Sequence, residues 1–171
     1  LETAYLSVIT FDSSARQLVP LTEMSMFQMP EIQASGATAF GEALSLLASK
    51  ISTEVTKTTA EEKGDWKPIV FLMTDGGPTD NWQQGLANFK MQKVGMVVAC
   101  AAGQGADTNI LKQVSEVVVQ LDTADSATIK AFFKWVSASI STTSTKVETG
   151  GKEVSGLNEL PPPPPEVNIV V

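Results

Sequence analysis

The chain has 171 residues, 43% hydrophobic and 18% charged, and 12 Lys and Arg stand against 19 Asp and Glu for a formal net charge of −7. That length holds one ordinary domain with its own core, and the acidic balance sets aside a nucleic-acid partner, which needs a basic surface to release counterions. The absence of any histidine removes Ser-His and Cys-His catalysis and histidine metal centres, and the single cysteine, Cys100, cannot close an internal disulfide. Cys100 sits in the apolar run GMVVACAA and reads as a buried structural thiol. No apolar stretch reaches transmembrane length, and the first residues lack the basic and apolar regions of a signal peptide. A cytoplasmic setting without membrane contact is therefore expected.

The first element is AYLSVITF, Ala4 to Phe11, rich in β-formers and expected as a buried strand. SSA and RQLVPL after it predict a tight turn and an antiparallel second strand, with Pro20 marking an edge or a strand end. TAFGEALSLLASKISTEV follows as a helix, with Phe40, Ala43, Leu44, Leu47, Ile51 and Val55 on one apolar stripe. IVFLMT, Ile69 to Thr74, is the next strand. TDNWQQGLANFKMQ is a helix with Trp82, Leu86 and Phe89 inward and Thr79 or Asp80 as its N-cap. GMVVACAA, Gly95 to Ala102, is a strand; DTNILKQV is a short helix capped by Asp107 or Thr108; VVVQL, Val117 to Leu121, is a strand. DSATIKAFFKWVSASI is a helix with Ile129, Phe132, Phe133, Val136 and Ile140 inward.

Continuous apolar strands imply a sheet covered on both faces. The strand–helix alternation from Ile69 to Ile140 predicts a doubly wound, mostly parallel α/β sheet with right-handed crossovers. The domain is expected over residues 1–141. Residues 142–171 read as a polar, proline-rich tail, in which Pro161 to Pro165 form a stiff polyproline II spacer and EVNIVV a final β-prone run.

In an open α/β sheet, ligands bind beyond the carboxyl ends of the strands. Asp75 closes the strand Ile69 to Thr74 on that rim, and Gly76, Gly77 and Pro78 turn the chain away from it. Thr38 arrives in the small-residue loop ASGATAFGEAL ahead of a helix. Each has a local explanation as well: a turn residue for Asp75, and for Thr38 a helix N-cap with Glu42 near the capping-box position. Together they offer hard oxygen ligands suited to Mg²⁺, which takes few protein groups and keeps its waters. An enzyme using Asp75 for phosphoryl transfer or hydrolysis is the alternative. It lacks an Asp-x-Asp pair and a Gly-x-x-x-x-Gly-Lys-Ser/Thr loop, and AAGQGAD is a weak glycine pattern.

The ordered motifs SVITFDSSA, SGATAFGEAL, VFLMTDGGPTD and VVACAAGQGADTNILKQV resemble a von Willebrand factor A domain over roughly Ala4 to Ser141. They are most similar to the bacterial tellurite-resistance TerY-like proteins. The resemblance implies a non-catalytic, metal-ion-dependent adhesion site that captures a partner's carboxylate through Mg²⁺, with Thr38 as its second part and Asp75 as its third. The first part, Asp-x-Ser-x-Ser, does not occur; FDSSA, Phe11 to Ala15, comes nearest and lacks the spacing. The resemblance further implies that the family's first, central strand precedes Leu1. A fragment with weak or absent metal is then expected, with a gap between the strands Ala4 to Phe11 and Ile69 to Thr74. Val167 to Val171 could enter that gap in its own molecule or in a second copy, which would give a homo-oligomer by strand addition. The implied partners are kinase-like or phosphatase-like proteins of a stress system.

Overall fold

The structure, a computed structural model, describes residues 4–31, 36–150 and 159–170. Ala34, Ser35, the stretch 151–158 and Val171 of the motifs above therefore lie outside it. The described chain forms two compact units: one from Ile69–Gly77 with the chain from Val94 onward, the other from the chain up to Pro68 with Pro78–Lys93.

The first unit is a four-stranded mixed sheet. Its strands are β3 (Ile69–Thr74), β4 (Met96–Ala102), β5 (Val117–Leu121) and β6 (Val167–Val170), in the order β3-β4-β5-β6. β3, β4 and β5 run parallel, with Ile69 opposite Met96 and Val98 opposite Val117. β6 is antiparallel to β5, with Leu121 opposite Val167. Two helices, α3 (Thr108–Val114) and α4 (Ser126–Gly150), belong to the same unit. All seven residues of β4 are buried, as a continuous apolar run in a parallel sheet requires. Alternate residues Met96, Val98, Cys100 and Ala102 share one core cluster with Val119, Leu121, Phe132, Trp135, Leu160 and Val167.

Two expectations for this unit are corrected. Phe133 does not face inward: it is 41% exposed, while Trp135 is buried. Neighbouring helix positions lie about 100° apart, so the arc centred on Phe132, Trp135 and Ser139 turns Phe133 outward. The terminal run does not enter beside Ala4 to Phe11 or Ile69 to Thr74; it lines the far edge, on β5. Leu160 and Val167 are buried on either side of the proline run, the Trp135 indole N–H donates to the Pro161 carbonyl at 2.8 Å, and Val167 N–H donates to Pro164 at 3.0 Å. The prolines thus strap the strand onto its own sheet. The helix α4 continues past Ser141 to Gly150.

The second unit begins with the hairpin β1 (Tyr5–Phe11) and β2 (Ala15–Glu23), which pair as a two-stranded sheet. Phe11 pairs with Ala15 across the predicted tight turn, and the register shifts on both sides of Val8. β1 is half-exposed along its length, not the buried strand that its apolar content suggests, because a two-stranded ladder has no neighbour on its outer edges. Helices α1 (Phe40–Glu54) and α2 (Trp82–Lys90) complete this unit. The rings of Phe11 and Phe40 meet at 6.1 Å. Glu54, near the end of α1, accepts from Gln17 Nε2 at 3.0 Å and from Leu21 N–H at 3.1 Å, tying the hairpin to the helix.

Burial pushes the Cys100 thiol up to about 12 from its ordinary 9.0. A thiolate is the reactive form, so native Cys100 is expected to resist alkylation at pH 8 and to react fully once the chain is unfolded. The sign follows directly: the folded thiol stays neutral while the unfolded one ionises. This contribution to stability is present below about pH 9 and is lost as pH rises toward 12. Alkylation of the native protein at the rate of a free thiol would show the core placement of Cys100 to be wrong.

Candidate functional site

Thr74, the last residue of β3, closes the turn after the strand: its hydroxyl donates to the Gly76 carbonyl at 3.2 Å and accepts from Gly76 N–H at 3.4 Å. The chain leaves the strand at Asp75, which is exposed. Across the rim of the same unit, a Cβ on Gly105 would come within 2.8 Å of the Asp75 carbonyl oxygen. Glycine leaves the backbone room for that close approach. β4 ends at Ala102, and the next residue, Gly103, with a φ of +85° and an N–H that donates to the Leu121 carbonyl at 3.1 Å, turns the chain into the loop that carries Gly105.

The other rim carboxylates of this unit are engaged. Asp107 caps α3, accepting from Asn109 and Ile110 N–H at 2.9 and 3.3 Å, which resolves the choice between Asp107 and Thr108. Asp125 accepts from the Thr123 hydroxyl at 2.6 Å, from Thr128 N–H at 2.8 Å and from the Thr128 hydroxyl at 2.8 Å. These bonds, Thr123 foremost, hold its carboxyl at about 2. Asp122 accepts from Asn168 Nδ2 at 3.1 Å. Among the described residues, the Asp75 carboxylate has no hydrogen-bond partner.

Thr38 lies in the second unit, half-buried, and it does not cap α1. Ala39 holds the N-cap position without a side-chain bond. The Asp80 carboxylate instead accepts from Gly41 N–H at 2.9 Å and from Glu42 N–H at 2.9 Å. Asp80 thereby corrects a second expectation: it does not cap α2, whose N-cap is Asn81 without a side-chain bond. The physical reason is proximity between helices, since a Cβ on Gly85 of α2 would lie 2.0 Å from the Gly41 carbonyl oxygen. At that approach, the residues entering α2 reach the first turn of α1.

The Thr38 backbone is paired in both directions with Thr79. Thr38 N–H donates to the Thr79 hydroxyl at 2.9 Å, and Thr79 N–H donates to the Thr38 carbonyl at 2.9 Å. Ala39 N–H donates to the Asp12 carbonyl at 2.7 Å, and Ser13 Oγ accepts from Ala37 N–H at 3.4 Å, so the DSSA turn braces the same loop. Among the described residues, the Thr38 hydroxyl has no hydrogen-bond partner. Sequence reasoning missed the roles of Thr79 and Asp80. Their partners lie about forty residues earlier in the chain, and no local pattern points there.

Thr38 and Asp75 each belong to their own unit. In kind, their oxygens suit Mg²⁺, a hard cation. Among the described residues, no group of three or more His, Cys, Asp or Glu side chains that could hold a metal ion occurs. Among the described residues, no helix is long and apolar enough to cross a membrane.

The family model of the von Willebrand factor type A domain matches residues 2–141. No curated protein matches the sequence. Two solved structures share the fold. Proximal thread matrix protein 1 from the mussel byssus aligns with a TM-score of 0.58 at 20% identity, over 81% of this chain and 37% of that one. The ArnB paralog VWA2 from Sulfolobus acidocaldarius aligns with a TM-score of 0.50 at 16% identity, over 70% of this chain and 32% of that one. The chain spans about a third of the length of either structure.

Proposed function

The chain belongs to the von Willebrand factor type A family, and from that premise we propose that it is a non-catalytic, adhesion-type module that binds a partner protein's carboxylate. Domains of this family are protein-interaction modules in general. The observation that carries the finer reading is a contrast among the polar side chains: Asp80, Asp107 and Asp125 each hold helix N-terminal amides, whereas the Thr38 hydroxyl and the Asp75 carboxylate keep their oxygens unpartnered among the described residues. Those two are the residues that the resemblance makes ligands of a Mg²⁺-type site. Bound there, Mg²⁺ would offer an open coordination position to an incoming carboxylate. The resemblance, without its Asp-x-Ser-x-Ser part, implies a weakly held ion whose coordination a partner's carboxylate would extend.

The motif order SGATAFGEAL and VFLMTDGGPTD supports kinship with TerY-like proteins. On that kinship rest the proposed kinase-like or phosphatase-like partners, the tellurite-resistance or stress setting and the cytoplasmic location. The test against an enzyme is turnover of an aryl phosphate with Mg²⁺ present. The binding reading predicts a rate equal to buffer for the full chain and for Asp75→Asn. Turnover by the wild type that disappears in Asp75→Asn would replace this reading with a hydrolase.

A further inference from the structure

We infer that Thr79 and Asp80 are positioning residues for Thr38: Thr79 clamps its backbone, and Asp80 anchors the first turn of the helix that follows it. The inference rests on the reading of Thr38 as a ligand group. An ordinary N-cap hydroxyl is occupied by the amides of the helix it begins. Here the N-cap is Ala39, which has no side-chain oxygen, and the amides of Gly41 and Glu42 go to the two carboxylate oxygens of Asp80; the Thr38 hydroxyl, one residue earlier, takes no part in the cap. The two bonds between Thr38 and Thr79 use both the N–H and the carbonyl of Thr38, so the backbone at this residue is held on both sides. Ala39 N–H on the Asp12 carbonyl fixes the next residue.

The arrangement costs the protein a local cap and replaces it with a carboxylate that carries a full charge. Asp80 meets the positive end of the helix dipole with both oxygens, a stronger anchor than a hydroxyl. A clamped backbone with a free hydroxyl is the preorganisation that a weak site needs, because little ordering remains to be done on binding. The sequence TDGGPTD then contains two functions in one segment: Asp75 as a ligand group, and Thr79 with Asp80 as the fixture for the other one.

The test compares Thr79→Val, which keeps the shape and removes the hydroxyl, with Thr79→Ser, which keeps the hydroxyl. Amide hydrogen exchange of the full chain is followed at Thr38 and Gly41 by NMR, with Mn²⁺ broadening of Thr38 as a second readout. Thr79→Val is expected to raise exchange at Thr38 roughly five- to tenfold, the loss of one net hydrogen bond, and to abolish Mn²⁺ broadening there. Thr79→Ser is expected to restore both. Asp80→Asn, which leaves one acceptor oxygen and turns an N–H₂ toward a donor, is expected to raise exchange at Gly41 or Glu42. Unchanged Thr38 exchange in Thr79→Val, or failure of Thr79→Ser to restore it, overturns the inference. Absence of Mn²⁺ broadening at Thr38 in the wild type instead overturns the ligand reading, and the exchange data still decide the clamp.

Discussion

Gly85→Ala is expected to destabilise the protein by roughly 2–3 kcal/mol, an overpacking cost that no rotamer can relieve. The added Cβ would lie 2.0 Å from the Gly41 carbonyl oxygen and 2.7 Å from the Gly41 Cα, all of it backbone. Alanine would gain about 1 kcal/mol of helix propensity over glycine, but that gain is smaller than the cost of prising two helices apart. The separation has a second consequence. Asp80 enters α2 two residues before Trp82, so moving α2 draws its carboxylate away from Gly41 and Glu42 and loosens the cap, worth about 1 kcal/mol. Gly77→Ala is the control, because nothing lies within 4 Å of its Cβ. Chemical denaturation of the two variants beside the wild type checks this; equal midpoints for Gly85→Ala and wild type would show that the helices do not approach as described.

Truncation after Glu166 is the second large effect. It removes β6, and with it the buried Val167 and the ladder on β5 from Val118–Val170 to Leu121–Val167. Burying one valine contributes about 1.5–3 kcal/mol, and each net backbone bond about 0.5–1.5 kcal/mol. Against these stands an ordering cost of about 1–2 kcal/mol per residue. The burial and the ladder are expected to outweigh that cost and to lower the melting temperature, with about 2–4 °C accompanying each kcal/mol in a chain of this size. Trp135 reports on the same event, since its indole is bonded to Pro161 at the other end of the strap. A truncated chain that melts with the wild type, with unchanged tryptophan emission, would mean that the proline run is only a spacer.

These two effects mark where the sequence was legible. The strands Ile69–Thr74 and Val117–Leu121 were readable to the residue, because a continuous apolar run between turn residues has one physical use in an α/β sheet. The stripe of α1 was readable for the same reason: Phe40, Ala43, Leu44 and Ile51 are buried. Asp107 could be placed as a cap because its partners are its own neighbours. What could not be read were the contacts made across the chain. Asp80 looked like the cap of the helix it precedes, and only the close pass of Gly85 over Gly41 sends it to α1 instead. The proline run looked like a spacer because composition carries no record of Leu160 and Val167 anchoring its ends. Phe133 was placed inward because hydrophobicity alone does not say where the centre of a helix face lies. Thr38 and Asp75 were legible as residues of interest, while the freedom of their oxygens was not.

The measurement that bears most directly on the proposed function is a titration of the full chain with Mn²⁺, alone and with acetate, followed by amide NMR. Weak broadening is expected at Thr38 and Asp75, strengthening when acetate supplies a further oxygen and vanishing in Asp75→Asn. Tight binding without acetate, or broadening confined to other residues and indifferent to Asp75→Asn, would contradict it.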